Sequence, residues 1–180
     1  LLAEPLALRG ARVIGLDRSG PSLRAGRDHA GACHWAPSYV CGDLMAIPAR
    51  DASFDAVLLA DVLEHVTDPA AAIAEAARVL RSGGWLYAST IDRSWRATML
   101  VVHVAEGIGF IPRGTHDPKL FIPPEELDAA ATRSGLARTQ RVGESPDLLQ
   151  CLRARSIRLR RARSTAVAYS VLYRKDDSRC

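Results

Sequence analysis

Three short apolar runs in this chain each lead to an aspartate: ARVIGL at 11–16 to Asp17, SYVC at 38–41 through Gly42 to Asp43, and FDAVLLA at 54–60 to Asp61. Runs of this length bounded by turn residues are strand-like. Helical spacing fills the intervals. Residues 1–9 stop at Gly10, residues 22–30 follow the first run, and residues 70–80 place Ile73, Ala76, Ala77 and Leu80 on one face. Ser82-Gly83-Gly84 then turns the chain into WLYAS at 85–89; a helix follows at 124–134, ended by Gly135, and a closing strand, AVAYSVLY, at 166–173. Strand–helix–strand alternation predicts right-handed crossovers and a parallel sheet, so the expected class is α/β.

The length of 180 residues suits a single domain with a real core, and 48% hydrophobic with 24% charged residues excludes disorder as the default. The net charge of +4 is local: RARSIRLRRAR at 153–163 carries six arginines and no acid. No nucleic-acid reading motif accompanies it, so it reads as a solvated or membrane-facing surface and no nucleic-acid partner is expected. Cys33, Cys41, Cys151 and Cys180 form no CxxC pair, which argues against a zinc knuckle. No stretch reaches the roughly 18 apolar residues of a membrane span.

In an open α/β sheet, ligands sit beyond the carboxyl ends of the strands. An acid ending the second strand of such a fold accepts the ribose hydroxyls of a nucleotide, and one after the next strand accepts from an adenine amino group. The third run continues as LADVLEHV at 59–66, where Asp61, Glu64 and His65 stand at i, i+3 and i+4, one face of a helix. These side chains suit a divalent cation or a proton. They equally suit an ordinary acidic helix start, because carboxylates favour helix N-termini.

GARVIGLD, SFDAVLLADVLEHV, RVLRSGGWLYASTIDR and PRGTHDPKLFIPPEEL together resemble the ubiquinone-biosynthesis O-methyltransferases, a family of class I S-adenosylmethionine-dependent enzymes. The resemblance covers roughly residues 1–136 and is weaker in the closing strand. It implies a Rossmann-like sheet with helices on both faces and O-methylation of a polyprenylated catechol or hydroxyphenol. By position, it implies that Asp17 binds the cofactor ribose, that Asp43 and Leu44 meet the adenine, and that Ala60 lines the cofactor. It further implies that Asp61, Glu64 and His65 hold a divalent cation, Mg²⁺ first. Asp61 departs from the family's usual glutamate and is one methylene shorter.

The implied chemistry has a physical rationale. A phenol ionises near pH 10, so methyl transfer at neutral pH needs help in removing its proton. A cation on Asp61 and Glu64 would lower that value, with His65 as a further ligand or as the base. A polyprenyl tail implies a membrane surface, and residues 95–112 (WRATMLVVHVAEGIGFIP) are apolar enough to lie in an interface or to pack over the substrate pocket as a lid. Residues 95–123 are expected to form a substrate- or membrane-facing insert in one domain spanning 1–180. Arg113 and His116, in PRGTHD, are available to a carboxylate or phenolate, or form a solvated turn. Where the family tends to have a Tyr-Asn-Pro turn, this chain has Gly143-Glu-Ser-Pro146.

The opening LLAEPLALRG reads as the middle of a helix without its cap, and the first strand and glycine-rich loop of this fold are expected to precede residue 1. On that expectation the chain is a piece of a longer enzyme, binding S-adenosylmethionine poorly alone. Two rival readings stand beside it: another small-molecule phenol O-methyltransferase, and a non-catalytic membrane-docked scaffold of a biosynthetic complex. The resemblance implies the matrix face of the mitochondrial inner membrane for a eukaryotic source, and a cytoplasmic or peripheral membrane location for a bacterial one.

Overall fold

A computed structural model describes residues 2–31, 37–107, 112, 114–147, 150–151, 153 and 159–177. The chain divides into two compact units, Leu1–Ala49 and Arg50–Cys180.

The first unit holds α1 (Ala3–Ala7), β1 (Ile14–Asp17), α2 (Gly20–Ala30) and β2 (Ser38–Cys41). Ser19 caps α2 by accepting from the Ser22 amide, and a proline follows within its first turn. Ala7, Leu23 and Ala30 are buried, and Glu4 pairs with His29 at 2.8 Å, tying α1 to α2. β1 and β2 pair in parallel, with Asp17 opposite Cys41. Both strand-end acids therefore lie at the carboxyl end of this pair, as the sequence pattern predicts.

The second unit is a mixed five-stranded sheet in the order β3 (Phe54–Ala60), β4 (Leu80–Ile91), β7 (Ala168–Lys175), β5 (Leu136–Pro146), β6 (Leu159–Ala162). The expected parallel pairing is found for β3 with β4; the remaining ladders are antiparallel. Helix α3 (Pro69–Val79) makes the β3–β4 crossover. Asp68 caps it, and its buried stripe is Ala72, Ile73, Ala76 and Ala77. Ile73 is fully buried, worth about 1.5–3 kcal/mol. At the other end, Lys175 Nζ donates to the Ala77 and Leu80 carbonyls at 2.7 and 2.6 Å, so β7 caps α3.

Three features depart from the sequence reading. β4 begins at Leu80, pairing there with Phe54, and the register then jumps to Ala56–Trp85. Gly83 sits within that jump at φ +69°, so the expected glycine turn is an excursion inside the strand. Gly143–Pro146, which stands where the family tends to have a turn, is the end of β5, paired residue for residue with Leu159–Ala162. That pairing also turns part of the arginine tract into the edge strand β6.

After β4, helix α4 (Trp95–Ala97) continues without a break into a π-helix, Thr98–Glu106. Its inner side packs Ala97, Val101 and Val102 with Ile91 and Phe121. Trp95, Met99 and Val104 remain exposed, with Arg96 over the Trp95 ring at 5.5 Å. Helix α5 (Pro124–Arg133) ends at Gly135, at φ +71°, where a side chain would be strained. No helix among the described residues is long and apolar enough to cross a membrane.

Candidate active site

In the first unit, Asp17 Oδ1 accepts from the Ser19 amide at 2.7 Å, a bond that shapes the turn into α2. Asp17 is exposed, and its second oxygen has no protein partner among the described residues. A carboxylate held by one oxygen and open at the other fits a ribose hydroxyl. Asp43 is half-buried; it accepts from the Met45 amide at 2.9 Å and lies 3.8 Å from Arg18. Leu44 is half-buried beside it.

In the second unit, the carboxyl end of β3 is where the chain breaks the rule the sequence suggests. Asp61, Glu64 and His65 do not share a helix face. Asp61 takes φ +51°, a left-handed conformation that aspartate tolerates better than most residues, and only a 3-10 turn, Leu63–His65, follows. Ala60 ends β3 opposite Ser89 of β4. The Asp61 amide donates to the Ser89 carbonyl, and Ser89 Oγ donates to Asp61 Oδ1 at 2.7 Å.

Glu64 turns the other way. Its side chain is buried, 2% exposed, and accepts from Thr90 Oγ1 at 2.8 Å. Burial pushes its carboxyl up from the ordinary value; its backbone hydrogen bond and the Thr90 bond pull back less. His65 points outward, exposed. Among the described residues no three His, Cys, Asp or Glu side chains form a group that could hold a metal ion. The expected cation set therefore does not fit as the residues stand: Asp61 is engaged by Ser89, Glu64 by Thr90, and the three form no group that could hold a metal ion.

His65 has a different neighbour. Its ring lies 5.5 Å from that of His116, and His116 meets Phe121 edge-on at 6.3 Å. His116 is held by Glu106, the last residue of the π-helix. Glu106 Oε1 accepts from the His116 amide at 3.0 Å and lies 3.2 Å from His116 Nδ1, and Oε2 accepts from the Gly114 amide at 2.7 Å. The Gly114 bond, first among these, holds the Glu106 carboxyl below the ordinary range. The structure thus brings His65 and His116 together. Arg113, the other expected substrate residue, lies outside the described residues. Glu106, Ser89 and Thr90 were not singled out in the sequence. A lone acid inside the apolar run 95–112 was the available signal for Glu106, since a buried charge must find donors.

A methyltransferase-domain family profile matches residues 1–88. A ubiquinone biosynthesis O-methyltransferase from Methylobacterium sp. (strain 4-46) is 37% identical over 172 residues, 95% of this chain and 67% of the relative. The chain belongs to that family. A ubiquinone biosynthesis O-methyltransferase from Bradyrhizobium sp. (strain ORS 278) is 36% identical over 144 residues, 79% of this chain and 56% of the relative. The chain thus spans between about half and two-thirds of the length of these two family members.

Solved structures agree on the fold. A SAM-dependent methyltransferase from Methanosarcina mazei superposes with a TM-score of 0.69 at 19% identity, over 97% of this chain and 86% of that one. The magnesium protoporphyrin IX methyltransferase of Synechocystis PCC 6803, solved with bound SAH, superposes with a TM-score of 0.66 at 17% identity, over 97% and 69%. The class I methyltransferase fold expected from the sequence is therefore shown.

Proposed function

We propose that this protein transfers the methyl group of S-adenosylmethionine to a phenolic oxygen of a polyprenylated catechol in ubiquinone biosynthesis. The shared name of relatives 34–37% identical over most of the chain carries this reading. When bound, the cofactor's sulfonium supplies the methyl group. Asp17, with one oxygen uncommitted, takes a ribose hydroxyl, and Asp43 and Leu44 face the adenine side. In the second unit His65, exposed beside His116, is the base that receives the phenol proton. Asp61 and Glu64 act through Ser89 and Thr90, fixing the turn that carries His65.

The exposed Trp95, Met99 and Val104 give the protein an apolar face suited to the membrane surface where a prenylated substrate resides. The test is methyl transfer by the purified protein from isotopically labelled S-adenosylmethionine to prenylated and tail-free catechols, with and without a chelator. Labelled O-methyl product from the prenylated catechol is expected. Transfer to the tail-free catechol alone would shift the reading to another phenol O-methyltransferase. Cofactor binding without transfer to either would refute it.

A further inference from the structure

Glu64 and Glu106 are the two charged side chains buried to more than nine-tenths among the described residues, at 2% and 5% exposure. Glu64 has its explanation in Thr90. Glu106 faces three donors, two backbone amides and one ring nitrogen, all from residues 114 and 116. Two amides would satisfy a carboxylate that merely closed a loop. The ring nitrogen is the informative contact. An ionised carboxylate only accepts, so His116 Nδ1 opposite it must carry the proton. In a neutral imidazole the other nitrogen, Nε2, is then an acceptor.

This fixes what His116 can recognise. A ring protonated at Nε2 would donate to a carboxylate or phenolate, as the sequence alone allowed. A ring protonated at Nδ1 presents an acceptor and so takes a hydroxyl donor. His65, with its ring 5.5 Å away, stands beside it. Two imidazoles side by side suit two neighbouring hydroxyls, one to be methylated and one to be held.

We propose that Glu106 is a positioning residue that locks His116 in its Nδ1–H tautomer, so that Nε2 accepts from the catechol hydroxyl adjacent to the one methylated. The assignment of the hydroxyl rests on the function proposed above; the tautomer does not. Lost docking of the second hydroxyl would fall on catechols and spare monophenols, which have none.

Proton–nitrogen correlation spectra of the ¹⁵N-labelled protein at about pH 8.5, above the ordinary histidine range near 6.5, test the tautomer without any variant in the ring. His116 is assigned by comparison with His116→Gln. The wild-type ring is expected to carry its proton on Nδ1 alone, and Glu106→Gln, whose amide can donate to the ring, to move it toward Nε2. In the same variant, the ratio of kcat/KM for a catechol over the matching monophenol is expected to fall about 10–100-fold. A wild-type proton on Nε2, alone or together with Nδ1, would overturn the proposal, and so would an unchanged substrate ratio in a variant whose tautomer has moved. If the wild type methylates neither phenol while the Nδ1–H tautomer is seen, the proposed function fails and the role of Glu106 in setting the ring stands.

Discussion

Thr90→Val isolates the Glu64–Thr90 bond with little change in volume. Both residues are buried, Thr90 at 1% and Glu64 at 2%, so water cannot replace the lost donor. A hydrogen bond to a charged group contributes about 1.5–3 kcal/mol, and the added methyl returns about 0.8 kcal/mol of burial. The net loss is about 1–2 kcal/mol at neutral pH. For a chain of this length that lowers Tm by about 2–8 °C. The sign of its pH dependence follows from Glu64. Its native carboxyl lies above the unfolded value, so the native state holds more protons, and stability falls as pH rises from about 4.3 through the native value. Thr90 favours the ionised form, so its removal raises the native value further and costs more at pH 7.5 than at pH 4. Urea unfolding at the two pH values measures both terms, and a cycle with Glu64→Gln should show a coupling of about 1 kcal/mol. Unchanged stability at pH 7.5, or a larger cost in acid, would refute the assignment of Thr90 as the donor that sustains Glu64.

Two further outcomes are expected. Asp17→Asn keeps an oxygen for the Ser19 amide but loses the charge, so S-adenosylhomocysteine affinity by calorimetry should fall about tenfold while the unfolding midpoint holds; unaltered affinity would remove Asp17 from the cofactor site. Replacing Trp95, Met99 and Val104 with serine should leave Tm unchanged and cut co-sedimentation with anionic vesicles about tenfold or more, and retained binding would take this helix out of the membrane reading.

The parts of the fold legible in the sequence are short apolar runs bounded by turn residues and a helix with one apolar stripe, patterns that are local and hold whether or not the strand is buried. The bounds of β2 and β3 were read residue for residue, and α3 to within one position. β5 is hidden in the sequence because LARTQRVGESP carries charged or polar side chains at six of its eleven positions, and its glycine and proline imitate a turn. What makes it a strand is its neighbour: Tyr169, Val171 and Tyr173 of β7, all buried, supply the ladder it joins. In the site, residue types were legible but directions were not. Asp61, Glu64 and His65 have helical spacing, yet the left-handed turn at Asp61 sends the three side chains to Ser89, Thr90 and the His116 ring. Spacing cannot show one positive φ. The clasp of Glu106 on residues 114–116 joins positions in a motif to one outside it, and only packing reveals the pair.

The place of β7 has a consequence for how the second unit is made. It is the last of the described strands in chain order, yet it lies third in the sheet, with β4 on one side and β5 on the other. Until residues 168–175 have left the ribosome, β4 and β5 each present an unpaired edge, and the buried Tyr169 and Tyr173 have no seat. Lys175 closes the carbonyls of α3 from nearly 100 residues away, so that helix also waits for its cap. Assembly of this unit is therefore governed by contacts of long sequence separation, which are slow to form. Nascent chains stalled before residue 168 should be those that most need protection from edge-to-edge association.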